Sequence, residues 1–264
     1  LIYAEADVNL TAALGNSCLH FLVQKGDLDL LQYFLSLQRG TPTTTVQLFA
    51  KNRHDETALY HSLHNPQILS CLLENIKLQN YLDPNMFIKG MKITNGVGYN
   101  LLHKCAEIGN LQSLSLLAEF VPESALEDML KQKDIIGQNT PLHLATLADN
   151  ADMVELLVQC QEVDIDAQNK AGNTPLHLAL KENLPNVFRI LFHEGRARIN
   201  IPNNDGETCQ ILAKQLPPSA DNIIAMMVLS ADNHHDLDGP SFIEKRKKYL
   251  SGAQRKSFAS DLMK

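Results

Sequence analysis

The stretch Thr140-Pro-Leu-His-Leu-Ala145 recurs, letter for letter, as Thr174-Pro-Leu-His-Leu-Ala179, 34 residues further on. Self-similarity at a period of this size marks stacked supersecondary units, each too small to bury a core alone. The hexapeptide is also legible locally. A Thr hydroxyl suits a helix cap, and Pro is tolerated at the first helical position, where its missing N–H leaves nothing unpaired. Leu142, Leu144 and Ala145 then give the new helix an apolar surface to bury.

With the Thr as origin, the pattern extends outward to Ser17, Thr57, Asn100 and Thr208. A glycine two or three residues before the origin recurs at Gly15, Gly137, Gly172 and Gly206, with Gly96 and Gly98 in the third unit, and fits a tight turn needing positive φ. After each origin comes a second apolar-periodic segment, such as Leu28–Leu35, Gln67–Leu73, Leu111–Leu117, Met153–Leu157 and Val187–Leu191. Breakers such as Lys25-Gly-Asp27, Ile108-Gly-Asn110 and Asp149-Asn150 separate the two. Each unit therefore reads as helix, turn, helix and a loop rich in Asp, Asn and Gly. Helices this short are marginal alone in water, so stacking must supply their burial.

Composition bounds the function. The chain has 264 residues, 44% of them hydrophobic, no Trp and a net charge of −7. From Gly239 to Lys264, seven Lys and Arg face only Glu244 and Asp261, a net of +5, which leaves −12 on the rest. An acidic body argues against nucleic acid as a partner. Cys18, Cys71, Cys105, Cys160 and Cys209 are scattered, odd in number and without a CxxC pair, the usage of a reduced intracellular protein. No apolar run reaches the roughly 18 residues needed to span a bilayer. The start at Leu1 and the phrase Ala6-Asp-Val-Asn9 read as a fragment of a longer chain, beginning in the tail of a preceding unit.

Asp134-Ile-Ile-Gly-Gln-Asn-Thr-Pro-Leu-His-Leu-Ala145 and Gly172-Asn-Thr-Pro-Leu-His-Leu-Ala179, with Asp152–Leu157 and Val163–Gln168 between them, closely resemble ankyrin repeats. The resemblance is sharpest over 134–208. It weakens in the second unit, where Tyr60 replaces the usual His and the turn lacks a glycine. It implies an all-α solenoid of about six helix-turn-helix repeats over 10–232, with 1–9 as the tail of an earlier repeat and 233–264 as a linker and basic segment. The first three units exceed the family length. Thr41–Phe49, Asp83–Ile88 and Val121–Leu130 each carry a proline followed by a polar-to-apolar run, and predict a short third helix in each. Pro217-Pro218 interrupts the last unit before a second helix at Asp221–Leu229, and Ser241–Leu250 reads as an amphipathic capping helix.

His20, His103, His143 and His177 share one repeat position, as expected for side chains that hold the turn between neighbouring repeats rather than a metal. No GxGxxG in strand context, GxxxxGK[ST], HExxH or GxSxG is present. His54, His61 and His64 read as an idle face, and no catalytic residue, metal ligand or cofactor is expected. The resemblance implies a protein–protein interaction module whose contacts lie at the loop tips: Arg53, His54, Asp55 and Glu56; Asp134, Ile136 and Gln138; Asn169, Lys170 and Asn173; Asn204, Asp205 and Glu207. On the first helices it adds Lys104, Glu107, Asp149, Lys181 and Glu182. The expected protein is a monomer binding another protein, with membrane contact only through the basic tail. The expected location is the cytoplasm, with the nucleus, or a host cytosol, as alternatives. Two further readings go with it: the targeting array of a larger enzyme, such as an effector that intracellular bacteria deliver into host cells, and an IκB-like inhibitor of a basic partner.

Overall fold

In the computed structural model, residues 7–36, 46–80 and 84–215 are described. They form thirteen α-helices and no strand; a single bridge joins Thr11 and Ser17. The second helix expected at 221–229, the basic 233–264 segment and the start of the first insert lie outside the described residues. The chain divides into two compact units, Leu1–Cys105 with Gln112–Leu126, and Ala106–Leu111 with Glu127–Lys264.

The origin position opens a helix each time: α1 (Cys18–Lys25), α3 (Ala58–Ser62), α6 (Leu101–Ile108), α9 (Pro141–Leu147), α11 (Pro175–Lys181) and α13 (Cys209–Gln215). Second helices follow as α2 (Leu28–Ser36), α4 (Pro66–Asn80), α7 (Leu111–Phe120), α10 (Ala151–Gln159) and α12 (Pro185–Arg189), the last running on as a π turn over Ile190–Glu194. The side chains of Asp27, Asn65 and Asn150 cap the second helices by accepting from Leu30, Ile68 and Met153 N–H groups. In the first unit α1 packs on α3 and α2 on α4; in the second, α9 packs on α11, α11 on α13 and α10 on α12. First helices thus line up with first helices and second with second. Leu31, Leu35, Ile68, Leu69 and Leu72 bury the first unit, and Leu142, Met153, Leu157, Leu176, Val187 and Phe188 the second.

One position shows where this burial comes from. Ser113, buried near the start of α7, donates its hydroxyl to the Leu63 carbonyl of the preceding repeat at 2.9 Å. The matching Ile68, Met153 and Val187 are fully buried, whereas Leu30, in the first described repeat, is exposed with Phe21 and Tyr33. At Ser113 the seal comes from the repeat before it.

Two of the three inserts form the expected third helix, α5 (Pro84–Met91) and α8 (Glu123–Lys131). Glu123 opens α8 and Lys131 closes it, each at the end its charge favours. Over 46–50 the first insert makes a turn instead of a helix. Its Phe49 packs onto α5 at Gly90, where a Cβ would stand 2.3 Å from the ring. Gly90 therefore has a packing reason despite its cost in a helix.

Candidate protein-recognition surface

Two local devices, repeated along the chain, build the surface. The first is the histidine ladder. In the hexapeptide the Thr140 N–H points at His143 Nδ1 (3.2 Å), which makes Nδ1 the acceptor; Nε2 therefore carries the proton and donates to the Asn173 carbonyl at 3.1 Å. His20 does the same between Ser17 and the Glu56 carbonyl, and His177 between Thr174 and the Glu207 carbonyl. The Thr174 hydroxyl sits 2.8 Å from His177 Nδ1 and only 3.4 Å from the helical N–H, so it serves the imidazole more than the helix end. Burial lowers the pKa of His143 to about 4 and lowers that of His177 in the same direction. Tyr60 fills this position in the second repeat. Its hydroxyl donates to the Ile93 carbonyl at 2.9 Å and also contacts the Tyr99 carbonyl. The departure from His keeps the function of the position.

The second device is a side-chain frame inside each loop. Asn52, Asn95, Asn169 and Asn203 each accept, through Oδ1, from the N–H groups two and four residues on, at 2.9–3.2 Å. Asp134 divides the task, with Oδ1 on the Gly137 N–H and Oδ2 on the Asn139 N–H. Two residues before each origin the chain turns through positive φ, at Gly15, Asp55, Gly98, Gln138, Gly172 and Gly206. In the fourth repeat the residue in this slot is Gln138 rather than Gly137, and in the second repeat Asp55 replaces the missing glycine.

Adjacent fingers are stitched together. In the first unit Arg53 N–H donates to Leu14 O and Gly96 N–H to His54 O, both at 2.9 Å. In the second, Lys170 N–H donates to Gly137 O (2.8 Å) and Asn204 N–H to Ala171 O (3.1 Å). Amide side chains repeat the stitch: Asn169 donates to Asn139, and Asn203 to Asn173.

The expected contact residues sort themselves against this frame. Arg53, His54, Asp55, Ile136, Gln138, Lys170, Asn204 and Asp205 stand exposed at finger tips, and Glu107, Lys181 and Glu182 are exposed on first helices or their ends. Glu56, Lys104, Asn169 and Glu207 are half-buried. Asp134 and Asn173 are placed differently: they are 3% and 7% exposed, with their polar atoms taken up by the frame, so they shape loops. Asp149 lies in the turn after α9, at φ 51°, and not on the helix. Ion pairs dress the surface, Lys51–Asp55 at 3.4 Å and Lys181–Glu207 at 3.5 Å. Hydrogen bonding from Asn203, then the nearby Lys181 charge, holds the Glu207 carboxyl below its ordinary range. Sequence reasoning missed Ile135, beside Ile136 and equally bare; the signal was the extra residue between Asp134 and Thr140.

Among the described residues no group of His, Cys, Asp and Glu is placed to hold a metal ion, and no helix is long and apolar enough to cross a membrane. His61 lies 3.6 Å from a Glu56 carboxylate oxygen and edge-on to His20; burial lowers its pKa. Burial pushes the Cys209 thiol up to about 12 and raises Cys18, Cys71 and Cys105, so these thiols stay protonated near neutral pH.

A family model described as ankyrin repeats (3 copies) matches residues 102–203. These residues are ankyrin repeats. Over 151 residues the chain is 32% identical to alpha-latrotoxin-Lhe1a of Latrodectus hesperus, covering 57% of this chain and 10% of the toxin. Over 111 residues it is 32% identical to the nuclear factor NF-kappa-B p105 subunit of Rattus norvegicus, covering 41% of this chain and 11% of that protein. A putative ankyrin repeat protein of fowlpox virus is 38% identical over 68 residues, 26% of this chain and 15% of the viral protein. The chain thus spans about a tenth to a seventh of the length of these relatives. Among solved structures, the ankyrin repeat domain of Bcl-3, described as a member of the IkappaB protein family, superposes with a TM-score of 0.66 at 20% identity, over 86% of this chain and 88% of that one. The human ASB11 ankyrin repeat domain gives 0.61 at 21% identity, over 86% and 89%. These likenesses carry the fold, an all-α ankyrin-repeat solenoid. Ankyrin repeats are protein–protein interaction modules, and the fold is typically a non-catalytic one.

Proposed function

We propose that this stretch recognises a partner protein through its finger tips and the exposed side of its first helices, without catalysis of its own. The observation that supports this most is the frame inside the fingers. Each loop is fixed by its own Asn or Asp and stitched to a neighbour, while its tip side chains are left to solvent. Tips held in place lose little entropy on binding. The protein acts as a monomer in the reduced cytoplasm, and the basic tail is a cap or localisation element, not the recognition site. The test compares the wild type with Arg53→Glu, Lys170→Glu and Asp205→Lys in pull-downs from cytosol, followed by calorimetry with the captured protein. Loss of binding with an unchanged melting temperature is expected. Binding that survives all three reversals, and is lost when 240–264 is deleted, would overturn the reading.

A narrower reading draws on the p105 similarity and the Bcl-3 likeness: an inhibitor that masks a basic partner with its acidic body. Affinity should then fall steeply with added salt; a flat salt response excludes it. A third assignment is the targeting and substrate-recruiting array of a larger enzyme, such as a bacterial effector acting in host cells. It requires that the array fused to its natural neighbours direct them to the same partner.

A further inference from the structure

The finger at 134–139 differs from the other four in both length and chemistry. Four fingers run five residues from the framing Asn to the origin; this one runs six, from Asp134 to Thr140. The extra residue places Ile135 and Ile136 side by side at the tip, 71% and 65% exposed. The matching places elsewhere hold Arg53-His54, Gly96-Val97, Lys170-Ala171 and Asn204-Asp205, polar or small pairs. A soluble surface carries single apolar residues without consequence, but two adjacent large aliphatics on a projecting tip are a contact waiting for a cover.

The backbone that carries the two isoleucines is held in place. The Asp134 carboxylate takes the Gly137 and Asn139 N–H groups, the Asp134 N–H donates to Asn139 O at 2.9 Å, and Gly137 O accepts from Lys170. Gln138 is kept in the left-handed region to close the turn. The charges beside it have one sign. Lys133 is exposed, with its ammonium on the Gln168 carbonyl at 2.6 Å, and Lys170 is exposed on the adjoining tip. Among the described residues neither lysine makes an ion pair, and the one carboxylate in the finger, Asp134, is spent on backbone N–H groups.

We infer that Ile135 and Ile136 are a single apolar anchor that seats in an apolar surface edged by carboxylates on a partner protein, with Lys133 and Lys170 meeting the edge. This rests on the recognition role proposed above and names the chemistry that role reads. A protein is favoured over a bilayer because two residues on one tip give only shallow insertion, whereas a pocket on a protein can enclose both side chains.

The probes are three synthetic helical peptides with one leucine face, edged by Glu, by Gln or by Lys. The Glu-edged peptide should bind at least tenfold more tightly than the Lys-edged one and shift backbone amide NMR signals at 133–139 and 170. Ile135→Asp/Ile136→Asp should weaken it at least tenfold with the melting temperature unchanged, and Lys133→Glu/Lys170→Glu should reverse the preference. Equal affinity for all three peptides, shifts confined to other fingers, no binding by any peptide, or isoleucine-dependent binding to phosphatidylserine vesicles each overturns the anchor. A captured partner that still binds the double-Asp variant also overturns it, and leaves the broader recognition role standing.

Discussion

His143 Nε2 lies 3.1 Å from the carbonyl oxygen of Asn173, 30 residues further along the chain, and gives it the proton that fixes the ring as a neutral donor. Burial holds this imidazole's pKa at about 4, below the roughly 6.5 of an unfolded histidine. The unfolded chain therefore takes up the proton first. Stability from this group is complete above about pH 6.5 and is lost as pH falls towards 4, on the order of 3 kcal/mol in all. His177, shifted the same way, adds to the loss. Urea midpoints at pH 7.5, 5.5 and 4.5 should fall in that order, and His143→Gln should flatten the trend while lowering stability at every pH.

Tyr60 reaches two carbonyls of the next loop. Tyr60→Phe keeps the ring and leaves them unserved, at a cost of about 1–3 kcal/mol. Equilibrium denaturation measures it; an unchanged midpoint would mean the hydroxyl does not hold the loop.

The positive-φ slot makes opposite predictions at two fingers. A Cβ on Gly172 would stand 2.5 Å from the Asn204 backbone nitrogen, at φ 75°, so Gly172→Ala meets both strain and backbone overlap. It should cost about 2–3 kcal/mol and loosen the adjoining finger, read as faster amide exchange at Asn204. Gln138 sits in the same slot at φ 53°, and Gln138→Gly should raise stability by up to about 1 kcal/mol. A calorimetric scan of both variants decides.

Leu142 and Leu176 lie at 1% and 0% exposure on the two copies of the hexapeptide. Replacing either by Ala should cost about 2–5 kcal/mol through lost transfer energy and a cavity. A melting temperature that does not move would show that the hexapeptide is not core.

The repeat was legible because its signals are local. A Thr-Pro cap, a histidine three residues on and an apolar face recur within six letters, and the fold follows from their spacing. The two third helices were readable for the same reason, from a proline and an apolar run. The loops were less so. Asn and Asp suit every turn, so nothing in the sequence distinguished Asn52 or Asn203, which fold a loop around their side chains, from Asn204, whose side chain stays exposed and reaches the Lys170 carbonyl. Glycine proved an uncertain guide: Gly137 looked like the positive-φ residue and Gln138 is. Asp134 and Asn173 look like tips because they are polar, but the Asp134 carboxylate is spent on the Gly137 and Asn139 N–H groups and the Asn173 amide oxygen on Asn203, and both residues are buried. Tyr60 looked like a lapse from the pattern and is a longer arm serving the same carbonyl.

Gly90 and Phe49 belong to different insertions, 41 positions apart, yet one ring occupies the space the other's methyl group would need. A side chain at 90 therefore requires the Phe49 ring to move or to shrink. Among related chains, a residue larger than glycine at 90 should be found only beside a smaller one at 49. A selection for folded Gly90→Ala protein should return second-site changes at Phe49 to Leu or Ala before changes anywhere else.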